Sequence, residues 1–388
     1  MGGPLQGIRV IDVSEGAQGP WAGALLADLG ADVIKVERPQ GEMMRHGGPK
    51  KRGLPLPHAG MNHGKRNIVL DAKTVEGRQT LLSLIRDADV FLENWRRGVS
   101  ARLELNYEVL STINPGLIYA SASGFGETGA YSHKAAVDNI SQAMAGYFSL
   151  NGKRGGTPEK PRFIVIDFTS PLTVVQAILM ALYVREDSGH GQHVHTSQLS
   201  TLTAVGQVRA AEYFTTGEVP QPWGSGTPFI VPSRAFRTAD KFIAVDCPDE
   251  ASWRALCEAL LLPELVDDER FADNTRRVEH RDELEPLLEQ AFLRYEGDRW
   301  VEALREAGVP CSTFAWDIED LYTDPQVVAN GLIVERSHED IGMVRTNEVP
   351  WRLSATPAEY GPLSGKMDEH HDAVMAEART KPPVSQTA

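Results

Sequence analysis

Strand-like and helix-like segments alternate through the first two hundred residues, and no other feature limits the possible folds of this chain as strongly. Ile8-Arg9-Val10-Ile11-Asp12-Val13 reads as a buried strand. Trp21-Ala22-Gly23-Ala24-Leu25-Leu26-Ala27-Asp28-Leu29 reads as a helix with apolar residues at three-to-four spacing, stopped by Gly30. Asp32-Val33-Ile34-Lys35-Val36-Glu37 is the next strand, so residues 7–38 make one β-α-β unit. The pattern repeats with strands at Asn67-Ile68-Val69-Leu70, Ala88-Asp89-Val90-Phe91-Leu92 and Leu117-Ile118-Tyr119-Ala120-Ser121, and helices predicted over 74–87 and 107–113. Strands separated by helices run parallel, because a parallel connection needs a crossover and a hairpin does not. The expected fold is α/β, with a doubly wound, largely parallel, Rossmann-like sheet in a large domain. Its ligands belong just beyond the carboxyl ends of the strands.

A chain of 388 residues has room for about two domains. Residues 1–204 are expected to form the large domain and 205–226, where the pattern loosens, a linker. Residues 227–331 read as a smaller α+β domain, with strand-turn-strand at 236–245 and acidic amphipathic helices at 251–262, 281–294 and 298–307. Residues 332–388, with Pro350, Pro357 and Pro362, read as an extended segment without a core of its own that returns to the large domain.

Acidic residues outnumber basic ones by 53 to 39, which argues against a nucleic-acid protein, since phosphate backbones demand a basic stripe. The three cysteines, Cys247, Cys257 and Cys311, show no C-x-x-C or zinc-like spacing and are expected to be free thiols in a reducing compartment. No basic segment precedes an apolar one near the start, and no apolar run reaches the roughly 18 residues of a membrane span. No membrane is expected, and the cytoplasm is the expected location.

Asp167 follows the apolar run Phe163-Ile164-Val165-Ile166 and precedes a helix predicted over 170–185. A carboxylate drawn towards an apolar interior has to be paired, protonated or used. Helix capping is one use, but Ser170 and Pro171 already supply an N-cap hydroxyl and a first-turn proline. Backbone N–H groups of a turn could equally satisfy Asp167. Gly124-Phe125-Gly126-Glu127-Thr128-Gly129 matches G-x-G-x-x-G, but Ala130-Tyr131-Ser132-His133-Lys134 shows no helical period, so a glycine-rich turn is expected rather than a dinucleotide site. His190, His193 and His195 alternate, yet no carboxylate completes a ligand shell, and no metal is expected.

Five separated blocks resemble the class III coenzyme A transferases, the family that includes formyl-CoA and carnitine CoA-transferases. They are Pro4 to Asp12, Leu26 to Pro39, Leu92-Glu93-Asn94-Trp95-Arg96, Ser123 to Gly129 and Gly189-His190-Gly191-Gln192. The resemblance covers essentially the whole chain. It implies that Asp167 is a nucleophile that attacks an acyl-CoA donor, carrying coenzyme A to a carboxylic-acid acceptor through an anhydride and an aspartyl-CoA thioester. It implies CoA contacts at Arg38, Leu70, Lys73, Asn94, Trp95, Arg96, Arg102 and Lys134, and a place for Gln18 in the turn beside the thioester. It also implies a homodimer whose chains interlock.

This sequence departs from the family pattern in two places. Gly224-Ser225-Gly226-Thr227-Pro228 is shorter than the glycine-rich flap of some members, and the usual Val-Asp-Val-Ser reads His193-Val194-His195-Thr196-Ser197. An α-methylacyl-CoA racemase is the alternative on the same fold, but its Gly-His-Asp is replaced here by Ala136-Val137-Asp138. A non-catalytic CoA-binding subunit of a heteromeric transferase is the third reading. Tyr213, Phe214, Trp223 and Phe229 point to an apolar acceptor pocket.

Overall fold

The computed structural model describes residues 2–379, which divide into two compact units. The first takes residues 2–147, 161–218 and 326–379, and the second residues 148–160 and 219–325.

The first unit is built from β1 (Arg9–Asp12), α1 (Gln18–Asp28), β2 (Asp32–Glu37), β3 (Arg66–Val69), α2 (Val75–Arg86), β4 (Val90–Glu93), α3 (Tyr107–Ile113) and β5 (Ile118–Ser123). These are followed by α4 (Asp138–Met144), α5 (Ile166–Ser188), β6 (His193–Ser197), α6 (Gln198–Val205) and α7 (Gln207–Thr216). The six strands form one parallel sheet in the order β3-β2-β1-β4-β5-β6, with Val10 in register with Val33 on one side and Val90 on the other. The chain steps outward from β1 to β3 and then returns to the far side of β1, so the strand order reverses between β1 and β4. That reversal is where an open α/β sheet leaves a crevice at its carboxyl edge.

The four inner strands bury both faces, as the continuous apolar runs require, while the edge strand β6 is only half-buried. Val10, Val33, Val90 and Ile118 pack with Leu25 and Leu26 of α1 and Val174 and Ile178 of α5. Their neighbours Ile11, Ile34, Phe91 and Tyr119 point the other way, onto Leu81 and Ile85 of α2 and onto Val374 of the terminal helix His371–Arg379. Truncating one of these side chains, Phe91→Ala for example, costs about 3–5 kcal/mol through lost transfer energy and the cavity left behind.

Local signals account for several helix ends. Thr74 Oγ1 caps α2 by accepting from Gly77 N (3.0 Å), and Ser197 and Ser200 form a capping box that starts α6 directly out of β6.

In three places the structure differs from the sequence reading. α5 begins at Ile166, not at Ser170, and the Ser170 hydroxyl donates back to the Ile166 carbonyl (2.7 Å) inside the helix. The apparent linker holds the ten-residue helix α7, set off from α6 by Gly206. The C-terminal segment is not simply extended: it contains an antiparallel hairpin (Ile333–His338 with Gly342–Asn347) and the terminal helix, whose Val374 is fully buried. A further correction concerns α5, which at 23 residues is long and apolar enough to cross a bilayer, although 44% of its most apolar window is buried against the rest of the protein.

The second unit holds an antiparallel sheet of β7 (Ser233–Arg237), β8 (Phe242–Asp246) and β9 (Cys311–Thr313) in the order β9-β8-β7. The helices α8 (Glu250–Ala259), α9 (Arg281–Phe292) and α10 (Gly297–Glu306) cover it, and Phe236, Trp253, Phe292 and Trp300 fill the core. Arg277 is buried there with its guanidinium fully employed by Glu250, the carbonyls of Val231 and Phe271, and the Trp253 ring. The three cysteines are free thiols, and burial pushes Cys247 and Cys257 up to about 12.

Candidate active site

The carboxyl edge of the parallel sheet is braced by a buried charge cluster. Asp12 closes β1 and is fully buried; its Oδ1 accepts from Ser14 N (2.9 Å) and Ser14 Oγ (2.5 Å). Its Oδ2 accepts from Lys65 Nζ (2.8 Å), and Lys35 Nζ lies 3.6 Å from Oδ1. Lys65 Nζ also donates to the Pro20 carbonyl (2.6 Å) and to Asn62 Oδ1 (2.9 Å), which pins the first turn of α1 to the sheet. Gly19 has to be a glycine, since a Cβ there would sit 2.3 Å from Ser14 Cβ. Gln18, beside it, is buried, and its Nε2 has no hydrogen-bond partner among the described residues. Asn94 joins the loops after β1 and β4 by accepting from Glu15 N (2.9 Å) and donating to the Glu15 carbonyl (2.7 Å). The crevice between β1 and β4 is thus a fixed construction.

Asp167 stands at the same edge. Because α5 leads into β6, which runs parallel to β5, it has to descend from the carboxyl edge and so begins there. Asp167 lies in its first turn, one residue from Phe168, whose ring meets Trp21 of α1 edge-on at 5.1 Å. The Ile166 N–H donates to Asp138 Oδ1 (3.1 Å), which supplies the cap that Val165 lacks. Gln198 Nε2 donates to Asp167 Oδ1 (2.7 Å), and Gln198 Oε1 is itself held by Ser141 Oγ (2.6 Å).

Burial pushes the Asp167 carboxyl up to about 6, and the nearby Asp138 charge adds to this while the Gln198 hydrogen bond opposes it. The positive end of the helix dipole favours the anion but is outweighed. No cation pairs with Asp167 among the described residues. A carboxylate so held is ionised at neutral pH and more basic than an ordinary aspartate, which suits a nucleophile or a base.

Of the other predicted residues, Arg38, Leu70, Lys73, Asn94, Trp95 and Arg96 follow the ends of β2, β3 and β4, while Arg102 and Lys134 lie further along the connections. Arg38 follows β2, half exposed, with Nε 3.3 Å from Glu15 Oε1 and within reach of the Gly41 carbonyl (3.0 Å), so it joins Asn94 at Glu15. Leu70 follows β3 and is buried, while Lys73 is exposed. Trp95 is half-buried, edge-on to Phe91, as a core side chain would be. Arg96 and Arg102 are exposed and, like Lys73, form no ion pair among the described residues; Lys134 stacks on Tyr131 at 4.1 Å.

Sequence reasoning missed Gln198, 31 residues from the carboxyl group it touches, and it missed Glu93. Burial pushes Glu93 up to about 7 despite hydrogen bonds from Ser121 Oγ (2.7 Å) and Trp95 N (2.5 Å). His193 and His195 share one face of β6 and reach Ser121 (3.0 Å) and Ser123 (2.9 Å) on β5. Tyr213 and Phe214 lie on α7 in the first unit, and Trp223 and Phe229 belong to the second unit, where Trp223 lines a cationic cavity.

The sequence profile described as CoA-transferase family III matches residues 5–371. A succinate–glutarate CoA-transferase of Agrobacterium fabrum is 38% identical over 386 residues, covering 97% of this chain and 96% of the relative. An acetyl-CoA:oxalate CoA-transferase of Acetobacter aceti is 36% identical, covering 86% of each chain. The crystal structure of a CAIB/BAIF family protein from Brucella suis superposes with a TM-score of 0.87 at 34% identity, covering 97% of this chain and 100% of the other.

Proposed function

We propose, from the premise that this chain belongs to CoA-transferase family III and is a CoA-transferase, that Asp167 is the nucleophile through which coenzyme A passes from an acyl-CoA donor to a carboxylic-acid acceptor. The observation that carries this reading is the setting of Asp167. It lies at the carboxyl edge of the sheet, is raised to about 6, and is held by the neutral Gln198 amide rather than by a cation. An ion-paired carboxylate would be stabilised against attack.

In the proposed cycle Asp167 attacks the thioester carbonyl of the donor and expels CoA thiolate, leaving an aspartyl-acyl anhydride. The thiolate then attacks the aspartyl carbonyl, forming the aspartyl-CoA thioester and releasing the donor acid. The acceptor carboxylate attacks that thioester and again expels thiolate. Attack of the thiolate on the acceptor acyl carbonyl yields the new acyl-CoA and restores Asp167. Both intermediates hydrolyse readily, so water has to be excluded, and Gln18 and the backbone amides of its turn are assigned to stabilise the oxyanions.

The unpaired cations Lys73 and Arg102, with Arg38 and Lys134, are assigned to the CoA phosphates, Leu70 to the adenine, and Asn94, Trp95 and Arg96 to the rest of the cofactor. The names of the two relatives support a short dicarboxylate as acceptor. The apolar side chains exposed on α5 to α7, with Tyr183 78% and Phe214 82% exposed, support a homodimer. A monomeric mass in solution at micromolar protein would contradict that assembly.

Hydroxylamine tests the chemistry. Incubation of the protein with acyl-CoA and hydroxylamine should leave a hydroxamate on Asp167, because anhydrides and thioesters react with it whereas a general base forms no covalent bond. Exchange of the α-proton of a 2-methylacyl-CoA with solvent deuterium, without modification of Asp167, would favour a racemase and overturn the proposal.

A further inference from the structure

The second unit contains a cavity of about 280 Å³ that the transferase reading does not use. Lys153, Arg154, Arg234 and Arg281 line it together with Trp223, the Gly224-Ser225-Gly226 loop and a single carboxylate, Glu285. Its walls are fastened. Asn151 and Glu159 bond each other's backbone (Glu159 N to the Asn151 carbonyl, 2.9 Å; Asn151 Nδ2 to the Glu159 carbonyl, 3.1 Å), which closes the loop that carries Lys153 and Arg154. Gly224 N donates to the Gly152 carbonyl (2.8 Å) and docks the glycine loop on it.

Arg281 is the central group. It opens α9, is only 4% exposed, and sits 4.6 Å from the centroid of the Trp223 ring, on which Arg154 also stacks at 4.7 Å. Its Nη2 donates to the Thr227 carbonyl (2.7 Å) and its Nη1 reaches Glu285 Oε1 at 3.3 Å, while its Nε has no hydrogen-bond partner among the described residues. Glu285 is shared with Arg234, which also pairs with Glu289 (3.0 Å), and Arg154 pairs with the exposed Asp282. Lys153 has no ion pair among the described residues. The four cations therefore face three carboxylates, of which only Glu285 lines the cavity. Burial pulls the Arg281 guanidinium down, and the charge of Arg154 adds to this against the pull of Glu285.

A buried guanidinium whose Nε lacks a partner among the described residues, with two exposed cations beside it and one carboxylate in the lining, is costly unless an anion completes the set. We propose that this cavity is an oxyanion-binding site of the second unit, taking a carboxylate or phosphate group of a small ligand between Arg154, Arg281 and Lys153. The planar guanidinium fork matches either anion, and the aromatic ring beneath the two arginines holds their planes in place. This inference goes beyond the transferase reading and does not rest on Asp167.

The test is calorimetric titration of the full-length protein, saturated with free CoA, with inorganic phosphate and separately with succinate as probes. At least one probe should bind saturably below about 10 mM. Arg154→Gln and Lys153→Gln change exposed side chains, keep the fold and should each weaken that binding by about ten-fold, the scale of one charge-assisted hydrogen bond. Lys366→Gln, an exposed cation of the first unit, should leave it unchanged. Binding of phosphate alone identifies a phosphoryl ligand, of succinate alone a carboxylate ligand, and competition between them a general oxyanion site. Absence of saturable binding by either probe, or binding left unweakened by both Arg154→Gln and Lys153→Gln, would overturn the proposal.

Discussion

Asp12 and Asp167 are the same side chain at one edge of the same sheet, one closing β1 and the other opening α5, and they are held in opposite ways. Asp12 is the more deeply buried, which taken alone would drive its carboxyl up. The Lys35 and Lys65 charges and the donors around it outweigh burial and leave it below the usual range. The same cluster holds two ammonium groups around one carboxylate, and burial pushes Lys65 down to about 8 despite the pull of Asp12. Asp167 is less buried yet raised, because burial pushes it up, the Asp138 charge adds to this, and only an amide, with no cation beside it among the described residues, opposes them. Depth does not decide what a buried aspartate does; the sign of its partners does. One aspartate braces the crevice, and the other is the one the proposed cycle uses as its nucleophile.

The strongest way to break this comparison is to exchange the two effects. Asp167→Ala should lose transfer by about three orders of magnitude or more, with an unchanged melting temperature or a higher one, when acyl-CoA products are followed by chromatography. Lys65→Met should do the reverse in kind. It leaves Asp12 buried with one cation fewer and should cost about 3–5 kcal/mol in urea denaturation. If Lys65→Met proved as stable as the native chain, the bracing role of the cluster would be lost.

Asp167→Asn sharpens the contrast through pH. The folded carboxyl binds its proton more tightly than the unfolded one, with about 6 against the ordinary 3.8, so Asp167 lowers stability progressively as pH rises from about 4 to about 6. The neutral amide removes that penalty and the repulsion from Asp138. The variant should gain about 1–2 kcal/mol at pH 8, a figure discounted for partial solvent exposure, and nothing at pH 4. A gain of the same size at both pH values would mean that the charge of Asp167 is not the cause.

A smaller effect separates the crevice floor from its rim. Arg38→Ala or Arg102→Ala should raise the KM for acyl-CoA about ten-fold with little change in kcat, since these groups would hold phosphates away from the reacting carbonyl. Unchanged KM values in both variants would show that the cofactor lies elsewhere.

The sheet was legible because its signals are local: β-branched runs, three-to-four spacing, the Thr74 cap and Gly30 all act within a few residues. The start of α5 was not legible, because Ser170-Pro171 imitates an N-cap while the true first turn is capped from Asp138, 28 residues away. The helix α7 was hidden by Gly206, which divides one helical stretch into two. The hairpin 333–347 was hidden by the prolines that follow it. Asp167 drew notice as a carboxylate beside an apolar run, but nothing near it in sequence announces Gln198. That contact depends on β6 and α6 returning to the start of α5, which is a property of the folded sheet.

Gln198 therefore offers the finest test. Its amide favours the charged form of Asp167, and a hydrogen bond to a charged group is worth about 1.5 kcal/mol, close to one pH unit. If the carboxylate form of Asp167 attacks, kcat/KM should rise with pH through about 6 in the native protein. In Gln198→Leu the same rise should come at about pH 7, because the remaining influences on Asp167, burial and the Asp138 charge, both push upward. At pH 8.5 the two proteins should differ little, while near pH 6 the variant should be slower by several-fold. Ser141→Ala, which removes only the donor that orients Gln198 Oε1, should move the profile in the same direction by a smaller amount. A profile that stays at about 6 in Gln198→Leu would mean that this rise does not report Asp167, and Glu93, raised to about 7 at the end of β4, would be the next group to examine.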